Sequence, residues 1–174
     1  MPLPADPLAA FHHLPDEARL WLLLLDQATD GTQIAPALDA ALAGWRHKGT
    51  QYHGAWTLLE GRILAIAEPT LASQPSGCAI DGMLRSIQRV VEAAGLALGD
   101  PQDVVVRLHG SVQTFHRSEL EARLQDGTLQ SDTPLLDLAL YALGDLRHGR
   151  LEKPLAASWV GRKYKRQAPA GTGA

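Results

Sequence analysis

Cys78 is the single cysteine of this 174-residue chain, and it lies in the hexapeptide Ser76-Gly77-Cys78-Ala79-Ile80-Asp81. The hexapeptide separates an apolar, strand-like stretch from an amphipathic helical pattern, which predicts a helix N-terminus there. A thiolate is a nucleophile, and the oriented amides of a helix N-terminus favour the thiolate form. Gly77 permits close approach to the backbone, and Ser76 can cap the helix or bind a ligand. The pattern makes Cys78 a candidate catalytic residue.

A buried, structural role is the alternative for Cys78, and it is the one we favour from the sequence. Free cysteines are among the most buried residues, and this one would close the junction between helix and sheet. A catalytic thiol needs a base within hydrogen-bond reach. The candidate bases are His53, His109 and His116, which lie on or beside predicted strands. Both interpretations stay open at this point.

Asp81 lies in the first turn of the same predicted helix, three residues after the cysteine. The helix dipole favours a carboxylate there, and Arg85 and Arg89 follow at i+4 and i+8. This spacing predicts an exposed ladder of opposite charges. The alternative makes Asp81 a carboxylate that orients a ligand beside the thiol. The candidate binding residues are Ser76, Gly77, Asp81, Arg85 and His53.

Metal and phosphate motifs are absent from the sequence. The seven histidines include no H-x-x-x-H or H-x-H pair, and one cysteine excludes a site built on several thiolates. No G-x-x-x-x-G-K-[ST] loop occurs, and no G-x-G-x-x-G follows a predicted strand. We therefore expect no metal, no cofactor and no ATP binding of the P-loop kind.

The net charge of −3 hides a division along the chain. Residues 1–146 contain 9 of the 16 Lys+Arg and 18 of the 19 Asp+Glu, a balance of −9, whereas residues 147–174 have a balance of +6. The basic arm is formed by Arg162, Lys163, Tyr164, Lys165 and Arg166. Its bases could neutralise phosphates while the tyrosine stacks on a nucleobase, which predicts weak nucleic-acid contact. The alternative is a solvating tail over 161–174, without fixed structure.

Length and composition indicate a globular protein. An apolar content of 45% supports a buried core, yet no apolar run approaches the length of a membrane span. The first residues include no basic segment followed by an apolar one, so we expect no export signal and a cytoplasmic location. A small ligand or a protein partner is expected, and no membrane partner.

Periodicity predicts an α+β fold. Strands are expected at 19–26, 52–59, 62–68, 104–108 and 112–115, and helices at 34–48, 80–94, 118–127 and 135–143. Ser118 and Glu121 have the spacing of a capping box. The order matches a ferredoxin-like β-α-β-β-α-β core, with helices on one face of a mainly antiparallel sheet, followed by a C-terminal hairpin and helices. Another α+β sheet with an edge hairpin is the alternative. We expect one domain over 1–160, onto which Leu155, Trp159 and Val160 dock.

Several landmarks resemble a small bacterial family of about this length, usually labelled "ABC transporter ATPase". They are Leu14-Pro15, Arg19-Leu20-Trp21, Ser76-Gly77-Cys78-Ala79-Ile80-Asp81, Arg85-Ser86-Ile87-Gln88 and Ser158-Trp159. The family usually has serine at the position of Ala79. The resemblance implies one unit from residue 14 to about 162, and its label implies nucleotide hydrolysis, but the chain lacks the lysine of a P-loop. The family supplies no catalytic residues to carry over.

The leading hypothesis is an accessory or stress-related protein that acts by binding, because no nucleophile–base–orienter set can be identified. One alternative is a thiol-dependent enzyme or redox sensor that uses Cys78. The other is a weak nucleic-acid binder that acts through the basic arm.

Overall fold

A computed structural model describes residues 6–69 and 74–164, and it confirms the α+β class. The described residues form nine strands: β1 (Arg19–Leu24), β2 (Arg46–His47), β3 (Thr50–Gln51), β4 (Ala55–Leu59), β5 (Ile63–Glu68), β6 (Asp103–Leu108), β7 (Ser111–His116), β8 (Pro134–Leu136) and β9 (Glu152–Pro154). They also form five α-helices: α1 (Ala35–Ala43), α2 (Gly77–Ala93), α3 (Leu120–Gln125), α4 (Leu143–Arg147) and α5 (Trp159–Tyr164). Every pairing between these strands is antiparallel.

The chain divides into two compact units. The first comprises 1–100 and 138–150, and the second comprises 101–137 and 151–174. The prediction that 1–160 form one domain stays a prediction.

The first unit is built on a three-stranded sheet in the order β1-β5-β4. All six residues of β5 are buried, as a central strand covered on both faces requires. A tight turn at Glu60-Gly61 joins β4 to β5, with φ of 54° and 68°. Positive φ at both central residues matches the right-handed twist of the two strands, and this confirms the predicted hairpin.

Helices α1 and α2 pack on one face of this sheet. Their apolar faces meet the sheet in a single core cluster that includes Leu38, Leu42, Leu58, Leu64, Ile66, Ala79, Met83, Ile87 and Val91. The amphipathic helix predicted here is therefore confirmed, although its buried positions start at Ala79 and the helix starts at Gly77, three residues before the predicted start at residue 80.

Trp45 connects the end of α1 to the start of α2. Its buried indole Nε1 donates a hydrogen bond of 3.0 Å to the carbonyl oxygen of Ala79. Its ring centroid lies 5.6 Å from that of Trp21 and 4.9 Å from that of Tyr52. The edge-to-face contact with Trp21, the tilted contact with Tyr52 and the buried hydrogen bond together stabilise the position of the first turn of α2.

The second unit contains a four-stranded sheet in the order β7-β6-β8-β9. The predicted turn at His109-Gly110 joins β6 to β7, again with positive φ at both residues. A second core cluster comprises Val104, Val106, Leu120, Leu129, Leu135, Leu155 and Val160.

The ferredoxin-like topology is not confirmed. Its sixth element, β6, pairs with β7 and β8 in the sheet of the second unit, whereas β1, β4 and β5 form a separate sheet. The predicted helix at 135–143 is also wrong: residues 134–136 form β8, because Leu135 pairs with Val106 and with Lys153. Long-range pairing overrides local propensity there.

Two details of the C-terminal half also differ from prediction. The capping box does not form: Ser118 Oγ contacts His116 Nδ1 at 2.8 Å, and α3 begins at Leu120 with no side-chain cap. Leu155 and Val160 are buried as expected, but Trp159 is 36% exposed. Residues 161–164, which we expected in a tail, complete α5, and the rest of that tail lies outside the described residues.

Replacing Trp45 by phenylalanine is predicted to lower the free energy of unfolding by about 2–4 kcal/mol, from a lost buried hydrogen bond and a new void. Urea denaturation measures the change. Trp56→Phe is the matched control, because its Nε1 bonds the exposed carboxylate of Asp39 at 2.7 Å. Equal losses in the two variants would contradict the role assigned to Trp45.

Gly161 is predicted to be essential for packing within the second unit. A Cβ at this position would lie 2.4 Å from the carbonyl oxygen of Ala156, so Gly161→Ala should cost about 1–3 kcal/mol. Gly82→Ala is the control, because nothing lies within 4 Å of its added Cβ and alanine favours a helix by about 1 kcal/mol. If Gly161→Ala were as stable as the control in urea denaturation, α5 would not pack as described.

Candidate functional site

The first turn of α2 has the N-terminal geometry that the sequence predicts. Ser76 is the N-cap, and its Oγ accepts a hydrogen bond of 3.3 Å from the amide of Ala79. Gly77 is the first helical residue, and a Cβ there would meet nothing within 4 Å. The backbone at the start of this 17-residue helix is therefore open to approach.

Cys78 is exposed, so the buried, structural role that we favoured from the sequence is wrong. The buried residue of the hexapeptide is its neighbour Ala79, at 2% exposure. The reason is the helical period: Ala79, Met83, Ile87 and Val91 face the core, and a residue one position away is rotated by about 100°.

A groove of about 380 Å³ opens beside Cys78. Its lining comes from the end of α1, from β2 and from the first turns of α2: Ala41, Gly44, Trp45, Arg46, His47, Cys78, Ala79, Gly82, Met83, Arg85 and Ser86. We call this the thiol groove. The Trp45–Ala79 hydrogen bond lies within its wall and holds the two sides together.

Three basic side chains line the thiol groove, and none of them has an acidic partner among the described residues. They are those of Arg46, His47 and Arg85. Among residues 6–69 and 74–164, no hydrogen bond or ion pair to any of these three side chains is found. The groove therefore combines an exposed thiol with two arginine side chains that have no acidic partner among the described residues, and positive charge of this kind attracts anions. Ser76 and Gly77, at the N-terminus of α2, are not among its lining residues.

Asp81 and Arg85 do not form the predicted ladder. Both are exposed, and within the described ranges no ion pair joins them. Arg89 instead donates to the carbonyl oxygen of Arg85 at 3.3 Å and to Ser86 Oγ at 3.4 Å. Asp81 does not line the thiol groove, whereas Arg85 does.

His53 lines a different groove of the first unit, of about 700 Å³. The lining of this larger groove includes Ala10, His13, Asp39, Arg46, Gln51, Tyr52, His53 and Trp56. The structure thus separates His53 from Cys78 and brings His47 to the thiol groove instead. No hydrogen bond joins the ring of His47 to the sulfur of Cys78. His109 and His116 belong to the second unit.

Sequence reasoning missed Arg46 and His47 as site residues, and it missed Glu68 as a buried carboxylate. Arg46 and His47 form a two-residue strand, too short for any periodic pattern, although the basic run up to Lys48 before Gly49 was a usable signal. Glu68 ends β5 at 0% exposure, and its Oε1 accepts a hydrogen bond of 3.1 Å from the His53 amide. A buried carboxylate with this amide partner secures the chain between β3 and β4.

The basic arm is only partly described. Arg162 and Lys163 are exposed on α5, whereas Tyr164 packs against the core of the second unit and is not free to stack as we expected. Lys165 and Arg166 lie outside the described residues. The exposed aromatic ring of α5 is that of Trp159.

Two aspartates outside both grooves have a lowered pKa. Hydrogen bonds from the side chain and the backbone of Thr32 lower the pKa of Asp30, and those of Thr128 do the same for Asp126. These are local turn interactions.

In the part of the chain that the structure describes, no cluster of three histidine, cysteine or acidic side chains is arranged to hold a metal ion. No described helix has both the length and the apolar character needed to cross a membrane.

Comparison with known proteins finds no matching family model, no matching curated protein and no matching solved structure. The family resemblance carried by the hexapeptide stays a prediction.

Native protein is predicted to react completely and rapidly at Cys78 with dithiobis(nitrobenzoate), because the side chain is exposed. For the same reason Cys78→Ser should change the free energy of unfolding by no more than about 0.5 kcal/mol. Ala79→Ser, at the buried neighbouring position, is the matched control and should cost about 1–3 kcal/mol. Labelling that requires denaturant would show that the thiol is not accessible.

Proposed function

We propose that this protein acts by binding a small anionic molecule in the thiol groove. The observation that carries the proposal is that Arg46, His47 and Arg85 line one groove and that no hydrogen bond or ion pair to their side chains is found among the described residues. Arginine is the residue best suited to bind carboxylate or phosphate oxygens, since its guanidinium donates in a planar fork.

Binding is favoured over catalysis by the surroundings of the thiol. A catalytic cysteine is normally activated by a hydrogen-bonded base, and no described side chain hydrogen-bonds to the sulfur of Cys78. His47 shares the groove but makes no such bond. In this proposal Cys78 lines the binding site, and its rate of alkylation shows whether an anion is bound.

A thiol-based function is the second candidate, because one specific observation favours it: Cys78 is exposed within a positively charged groove. An exposed thiol is accessible to oxidants and to electrophiles. This candidate predicts that reversible oxidation of Cys78 changes ligand binding or activity. The cytoplasmic location expected from the sequence would suit such a thiol, and it stays a prediction.

The proposal predicts that Cys78 prefers an anionic reagent. The rates of alkylation by iodoacetate and by neutral iodoacetamide are measured, and their ratio is compared with the ratio for free cysteine. The ratio should exceed that of free cysteine and should fall with added salt. Arg85→Gln should lower it roughly twofold to fivefold, the effect of one exposed charge.

Arg89→Gln is the matched control for Arg85→Gln, since it removes the same charge one turn further along α2, outside the groove lining. Inorganic phosphate, pyrophosphate and succinate are then tested as competitors of alkylation. Protection of Cys78 that is lost in Arg85→Gln but kept in Arg89→Gln would support the proposal. A ratio equal to that of free cysteine, or no protection by any of the three anions, would overturn it.

A further inference from the structure

An exposed indole lies on the second unit, at a residue that lines neither groove. Trp159 is the first residue of α5 and is 36% exposed. The guanidinium carbon of Arg117, which follows β7, lies 4.6 Å from the centroid of the indole ring. This distance is within the range of a cation–π interaction, so the arginine and the ring form one surface feature.

Trp159 is held in a defined orientation. Ser158 Oγ donates to the carbonyl oxygen of Leu155 at 2.6 Å and accepts from the amide of Val160 at 3.1 Å, and all three residues are buried. Gly161, which follows Val160, packs directly against the backbone of Ala156. The backbone on both sides of the indole is therefore fixed, which lowers the entropy lost when a ligand stacks on the ring.

Two more cations follow the indole on the same helix. Arg162 and Lys163 occur at i+3 and i+4 from Trp159, the spacings that share a helix face, and both are exposed. Over the described ranges, neither they nor Arg117 form an ion pair. Four acidic side chains of this unit are paired with other bases: Glu119 and Asp126 with Arg123, Glu152 with Arg107, and Asp137 with Lys153. Arg117, Arg162 and Lys163 therefore have no acidic partner among the described residues, although the ammonium of Lys163 lies 5.0 Å from the centroid of the Tyr164 ring.

We infer that Trp159, Arg117, Arg162 and Lys163 form a contact surface for single-stranded nucleic acid. An exposed indole offers a stacking platform for a nucleobase, and the surrounding cations fit the adjacent phosphates. An acidic peptide would satisfy the cations but would leave the indole unused. The inference is independent of the anion proposed for the thiol groove.

The test uses the full chain and a fluorescein-labelled oligo(dT) at low ionic strength, with fluorescence anisotropy as the readout. Trp159→Ala should weaken binding roughly 5- to 100-fold, the loss expected for one stacked base, and Trp159→Phe should weaken it less. Arg162→Gln with Lys163→Gln should also weaken binding. It should reduce the slope of log affinity against log salt by about 1.4, or roughly 0.7 per phosphate contact.

Tyr141→Ala removes the other large exposed aromatic side chain, which belongs to the first unit, and should leave binding unchanged. The double variant with Lys165→Gln and Arg166→Gln measures how much the remaining basic residues of the arm contribute to the affinity for oligo(dT). The inference is overturned if Trp159→Ala and Trp159→Phe both bind as the wild type does, or if polyglutamate competes as well as unlabelled oligo(dT). It is also overturned if oligo(dT) does not bind at low salt.

Discussion

The hydrogen bond from the Trp45 indole to the carbonyl oxygen of Ala79 is the interaction on which the candidate site depends. It joins two segments that are distant in sequence, the end of α1 and the first turn of α2. Because the bond is buried, breaking it would leave a polar group without a partner, and the two segments are held in place. The thiol groove lies beside this junction, and both Trp45 and Ala79 are among its lining residues.

The same junction explains why the thiol is exposed. Once Ala79 faces the core to accept the indole, the helical period turns Cys78 and Arg85 toward the groove. The core and the thiol groove therefore contact different faces of α2. A residue could move from one face to the other only if the register of the whole helix changed. Among the residues that line the groove, the exposed ones therefore tolerate substitution more readily than the buried Trp45 and Ala79 do.

Local patterns predict the elements that short-range interactions determine. The turns at Glu60-Gly61 and His109-Gly110 and the amphipathic character of α2 follow from turn chemistry and helical periodicity, and they agree with the structure. The exposure of Cys78 could also have been predicted. Ala79 lies four residues before the apolar Met83, so the helical period places Ala79, and not Cys78, on the buried face. The strand at Leu135 was not, since it exists through pairing with Val106, about thirty residues earlier in the chain. Arg46 and His47 enter the site through tertiary packing, which single-sequence patterns do not contain.

Net charge is a poor guide to what this protein binds, because many of its acidic side chains already have partners within the fold. Asp16 pairs with Arg147, Asp145 pairs with Arg150, and Asp30 bonds Thr32 within its own turn. A carboxylate that is already paired contributes little field at a distance, particularly at physiological salt. The bases of the thiol groove and of the Trp159 surface have no such partners among the described residues. A chain of net charge −3 can therefore present two surfaces that favour anions. The ligands that such a chain attracts are determined by the charged side chains that have no partner of opposite charge in the folded protein.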